Sequence, residues 1–143
     1  VKKFGWAPDI VLCEGWMTSL IPFYLRTAYK TEPIFANSHI VYGVFDTPRE
    51  REGGEHFFQK AAINNLSKKD LAAFMDGDGV SMHKGAAAFS DALVVGSETL
   101  DTSVDYLSVA QDKPVLLWKE GEEEMLQAHL EFFRSLTEAE VAQ

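Results

Sequence analysis

The chain has 143 residues, 46% of them hydrophobic, and a formal net charge of −9 from 22 acidic against 13 basic side chains. That length suits one domain with a real core, and the apolar share is globular rather than disordered. The acidic field repels phosphate backbones and anionic membrane surfaces, which sets nucleic acid and membranes aside as partners.

No apolar stretch reaches the roughly 20 residues that span a bilayer, and no signal peptide opens the chain. The start, "VKKFGWAPD", reads as the last turn of a helix. Lys2 and Lys3 sit near its carbonyl end and Gly5 is its stop, so the chain reads as a single partial domain over 1–143. An apolar run at 9–13 follows and ends abruptly in Glu14-Gly15-Trp16. Its Cys13 is the only cysteine, which excludes an internal disulfide and a cysteine-rich zinc site. It reads as a small buried hydrophobe, and a reducing cytoplasm fits it. Helical spacing over 16–29 places Leu20, Phe23, Tyr24 and Ala28 near one face, with Pro22 as a kink.

A second apolar run lies at 39–45, followed by the charged, glycine-paired loop "DTPREREGGE" at 46–55, read as a mobile surface loop. Helical patterns at 55–65 and 80–89 flank a short helix in "SKKDLAAFM". The third run is at 92–96, a further helix at 103–110, and the fourth run at 114–118. A last helix at 122–136 faces the core with Leu126, Leu130, Phe133 and Leu136. Glu122 to Glu124 begin it, where the helix dipole favours acids. The four runs are continuously apolar, as parallel strands covered on both faces are. Alternation with helices implies βαβ crossovers and an α/β fold with a doubly wound, mostly parallel sheet.

Polar groups end three of the runs: Glu14, Asp46 and Ser97. In a parallel sheet such ends lie along one edge, where open α/β sheets bind ligands. Gly15 permits close backbone approach there; the alternative is that polar residues simply end strands. A receiver-domain reading of Asp46, Ser97 and Lys113-Pro114 fails, because the acidic pair after the first strand is missing and the spacings are wrong. "DGDG" at 76–79 starts like a calcium loop, but the required twelfth-position glutamate falls on Ala87, so a turn is expected. His39, His56, His83 and His129 lack metal-ligand spacing, and His83 reads as a solvated surface or helix-end residue.

"WAPDIVLCEGWMTSLIPFYL" closely resembles the strand–turn–helix of bacterial glycogen and starch synthases, typically "PDIVHxHDWHTxLxPxYL". "ANSHIVYGVFD" resembles that family's next strand, which ends in Thr-Ile-His-Asn, and "MHKGAAAFSDALVVGSETLDTSV" resembles "LKAGIxxADxVTTVSPxYAxEI". The matches keep their order over most of residues 6 to 104. The remainder matches more loosely and is similar to shortened synthase-like proteins of the Bacteroidetes type.

The resemblance implies glycosyltransferase family 5 and the N-terminal Rossmann-like half of a two-domain GT-B enzyme. The family moves glucose from ADP-glucose to an α-1,4-glucan with retention, without a metal, so α-glucan or ADP-glucose are the implied partners. Its substrate-facing positions correspond to Glu14, Gly15, Trp16, Thr18, Asp46, Lys84 and Ser97. The departures are pronounced. The family's His-x-His pair falls on Leu12 and Glu14, and an ionised glutamate only accepts hydrogen bonds. The neighbouring aspartate is Gly15, Thr-Ile-His-Asn is Gly43-Val44-Phe45-Asp46, and Ser-Pro-x-Tyr is Ser97-Glu98-Thr99-Leu100. Three readings follow: a synthase-like glucosyltransferase part, a non-catalytic glucan- or protein-binding scaffold, and a domain whose role is assembly with another chain, a homo-oligomer included. No catalytic residue is assigned.

Overall fold

The computed structural model describes residues 5–46, 55–100 and 110–138. In chain order, strand β1 (Ile10–Glu14) leads through a 3-10 turn (Trp16–Thr18) into helix α1 (Leu20–Arg26), then strand β2 (His39–Val44). Helix α2 (Glu55–Ala61), the hairpin of β3 (Met75–Asp76) and β4 (Gly79–Val80), and helix α3 (Met82–Phe89) precede strand β5 (Ala92–Val95). Strand β6 (Val115–Leu116) and helix α4 (Glu122–Glu138) complete the described fold. The main sheet runs β1-β2-β5-β6, every pairing parallel, with Cys13 opposite Tyr42 and Gly43 opposite Val94.

Side-chain alternation explains the unbroken apolar runs, because both faces of the sheet are covered. On one face Cys13, Tyr42, Val44 and Leu93 meet Ala86 and Ala87 of α3. On the other, Val41, Ala92 and Val94 meet Leu136, with Met125, Phe132 and Phe133 of α4 packed alongside. A further cluster beyond α3 gathers Phe23, Ala61, Leu71, Phe74, Val80 and Met82. The result is an α/β, Rossmann-like arrangement with helices on both faces.

Several expected elements shift. The helix expected at 16–29, with Pro22 as a kink, is shorter. It begins at Leu20, so Pro22 lies in the first turn, where its missing N–H leaves no helical bond unmade. The helix expected at 55–65 stops at Ala61, and Asn64 and Asn65 take positive φ. "SKKDLAAFM" holds turns and a 3-10 turn at Ala72–Phe74 instead of a helix. "DGDG" is the turn of the β3–β4 hairpin, with Asp76 opposite Gly79. In α4 the sheet-facing stripe is buried Leu136 with half-buried Met125, Phe132 and Phe133; Leu126 and Leu130 are exposed. Two overlapping apolar stripes one residue apart both satisfy a 3.6 period, and packing on the sheet selects between them. The expected helix at 103–110 and most of the loop at 46–55 fall on 101–109 and 47–54, outside the described residues.

At the amino-terminal end of the strands, Asp91 ties the layers. Its backbone N–H donates to the Ile40 carbonyl at 2.7 Å, while its carboxylate accepts the Ile40 N–H at 2.7 Å and pairs with Arg26.

Candidate functional site at the carboxyl edge

The ends of β1, β2 and β5 lie side by side, which places their following residues along one edge. After exposed Glu14, Gly15 turns the chain at φ 77°, a value that side-chain-bearing residues seldom adopt. Its N–H donates to the Gly43 carbonyl at 3.0 Å, extending the β1–β2 ladder by one step. Thr18 closes the turn: its hydroxyl lies 3.0 Å from both the Glu14 and Gly15 carbonyls, and its N–H donates to the Gly15 carbonyl at 3.1 Å. Trp16 is half-buried and packs against the cluster around Phe23.

At the next strand end, the Asp46 N–H donates to the Ser97 hydroxyl at 3.1 Å, and the Gly96 N–H donates to the Val44 carbonyl at 2.8 Å. These bonds hold the chain after β2 against the chain after β5. Lys84 is engaged elsewhere. Its ammonium donates to the Met75 carbonyl at 3.0 Å and lies 3.7 Å from Asp76 Oδ1, so it pins the hairpin. The structure therefore brings Glu14, Gly15, Thr18, Asp46 and Ser97 to the edge. It directs Lys84 to the hairpin, and half-buried Trp16 packs against the Phe23 cluster.

Three residues that carry the edge, His83, Tyr42 and Phe45, were not assigned to it from sequence. His83, expected at the surface, is 5% exposed. Its Nε2 lies 3.0 Å from the Phe45 carbonyl, which only accepts, so that nitrogen carries a proton. Its Nδ1 is 2.8 Å from the Tyr42 hydroxyl, itself 3.2 Å from the Gly15 carbonyl. A polar relay thus runs from the chain after β2, through α3, to the turn after β1. The signal in the sequence was the run Gly85-Ala86-Ala87-Ala88 beside His83. Such small side chains let α3 lie close between two packed layers, which buries what flanks them.

Phe45 is the third. By strand alternation the Glu14 side chain and the Cβ positions of Gly43 and Gly96 face the α4 side of the sheet, and the Phe45 ring lies over those glycines. A Cβ built on Gly43 would meet Glu14 Cγ at 3.1 Å and Phe45 Cε2 at 3.2 Å. One built on Gly96 would stand 2.4 Å from Phe45 Cε1 and Cζ. The two glycines make the seat on which the ring rests.

The edge consequently offers carboxylates, a hydroxyl and an aromatic ring. Among the described residues no three His, Cys, Asp or Glu side chains gather as a metal site. Cys13, beneath the edge, is a buried free thiol whose burial raises its pKa to about 11, so it is no nucleophile at neutral pH.

A family model described as starch synthase catalytic domain matches residues 1–111. The glycogen synthase of Photobacterium profundum is 33% identical over 91 residues, 63% of this chain and 18% of that protein. The glycogen synthase of Chlorobium limicola is 30% identical over 97 residues, 68% of this chain and 19% of the relative. That of Thermotoga maritima is 29% identical over 103 residues, 69% and 20% respectively. The chain thus spans about a fifth of the length of these curated relatives.

Proposed function

Because this chain belongs to the starch synthase catalytic-domain family, we propose that it forms the glucan-facing edge of a synthase-type protein, within an N-terminal catalytic domain. The family reaction, glucosyl transfer from ADP-glucose to an α-1,4-glucan, is the activity of the whole protein in this reading. The observation that supports it is the alignment of the ends of β1, β2 and β5, fastened by the Asp46–Ser97 bond. Glu14 and Asp46 are exposed acceptors, suited to receive hydrogen bonds from sugar hydroxyls. Ser97 and Thr18 hold the backbone that presents them. With a buried free thiol and, among the described residues, no helix long and apolar enough to cross a membrane, the reducing cytoplasm is its proposed place.

A second reading, a glucan-binding scaffold without turnover, draws support from the engagement of Lys84 with the hairpin and from Glu14, an acceptor, at the end of β1. Two assays on the purified full-length protein separate the readings. Labelled glucose passing from ADP-glucose to maltoheptaose supports the transferase. Maltoheptaose binding without transfer supports the scaffold. Neither transfer nor binding removes both.

A further inference from the structure

We propose that the Phe45 ring is a stacking platform for one pyranose ring of a bound α-glucan, with the Glu14 carboxylate beside it orienting the sugar's hydroxyls. The inference rests on the glucan-binding reading and adds to it a residue that fixes where the sugar lies.

The geometry has three parts. First, the ring has a built seat. A side chain at Gly96 would collide with it at 2.4 Å, and one at Gly43 would crowd it at 3.2 Å. An aromatic side chain held down over bare backbone is restrained before any ligand arrives, so binding need not order it. Second, Phe45 is half-buried as a residue, not enclosed like Tyr42 or Phe23. Its position is anchored from below: the Phe45 carbonyl accepts from buried His83 at 3.0 Å, and the next residue is held by the Asp46–Ser97 bond at 3.1 Å. Third, an acceptor flanks it. Glu14 Cγ lies over the same Gly43 as the ring's Cε2.

An aromatic face carries negative quadrupole density, which attracts the weakly positive C–H groups along one face of a pyranose. The rim of the same sugar is hydroxyls, which donate to carboxylates. A ring with a carboxylate at its side matches that two-sided chemistry. A phosphate or another anion is disfavoured by the same carboxylate. Trp16, the other aromatic near the turn, packs against the Phe23 cluster and does not share this position.

The test is a titration of the full-length protein with maltoheptaose, by calorimetry, comparing wild type with Phe45→Leu and Phe45→Tyr. Leucine keeps apolar bulk on the glycine seat but has no π face; tyrosine keeps the face. The expected result is at least a tenfold weaker Kd for Phe45→Leu, a Kd within about twofold of wild type for Phe45→Tyr, and unchanged melting for both. A second route keeps the phenylalanine but displaces its ring: Gly96→Ala brings a methyl to 2.4 Å from the ring's present position and is expected to weaken binding as well, wild-type affinity in this variant counting against the seat. Wild-type affinity in Phe45→Leu overturns the platform while leaving glucan binding intact. No binding by wild type overturns both the platform and the glucan reading.

Discussion

Cys13 and His83 lie beneath the carboxyl edge and respond to solution conditions in ways a residue-level measurement reads. Burial lifts the Cys13 thiol from its ordinary value of 9.0 to about 11. Between those values the folded chain holds a proton that the unfolded chain has lost, so the stability from burying a neutral thiol is complete below pH 9. It is then lost as pH climbs toward 11. Urea midpoints are expected to fall across that window, and Cys13→Ala is expected to flatten the fall. Alkylation of native protein at pH 8 is expected to be far slower than in urea. His83 is the more costly residue to remove. His83→Ala leaves the Phe45 carbonyl without its buried donor and the Tyr42 hydroxyl without its 2.8 Å neighbour. About 2–3 kcal/mol of stability is expected to go, seen as a lower urea midpoint at unchanged slope.

Elements meet their sharpest test at the opposite end of the strands. Arg26 of α1 and Asp91 before β5 form an ion pair whose side chains are 33% and 37% exposed, a setting in which such pairs contribute at most about 1 kcal/mol. Asp91 has a second task, accepting the N–H of buried Ile40. Asp91→Ala is therefore expected to lower stability by about 2 kcal/mol and Arg26→Ala by less than half as much, measured by chemical denaturation. Equal losses would show that the ion pair, not the backbone bond, joins α1 to the sheet. The elements also show what sequence patterns convey. Runs such as "IVYGVF" and "ALVVGS" announced buried parallel strands because both faces must be apolar. The α4 stripe was misread at Leu126 and Leu130 because helical period leaves the choice to tertiary packing. The two-residue strands of the hairpin were missed because four residues are too few to show alternation.

Across the whole molecule, the strand-end residues Glu14, Asp46 and Ser97 were legible because parallel topology alone carries them to one edge. The relay through His83 and the glycine seat of Phe45 were not, since each depends on residues tens of positions apart meeting through packing. Gly43 and Gly96 read locally as interruptions in strands; only their shared neighbour gives them meaning. The molecule also offers a rival surface: a hollow of about 390 Å³ between Trp6 and Ile10 on one side and Leu130 and Phe133 of α4 on the other. Trp6 is 56% exposed there, so an aromatic is present at both places. Amide chemical-shift mapping of maltoheptaose on the isotope-labelled full-length protein decides between them. Shifts centred on Glu14, Gly15, Phe45, Asp46 and Ser97 are expected; shifts confined to Trp6, Ile10, Leu130 and Phe133, or none anywhere, would contradict the carboxyl-edge glucan site.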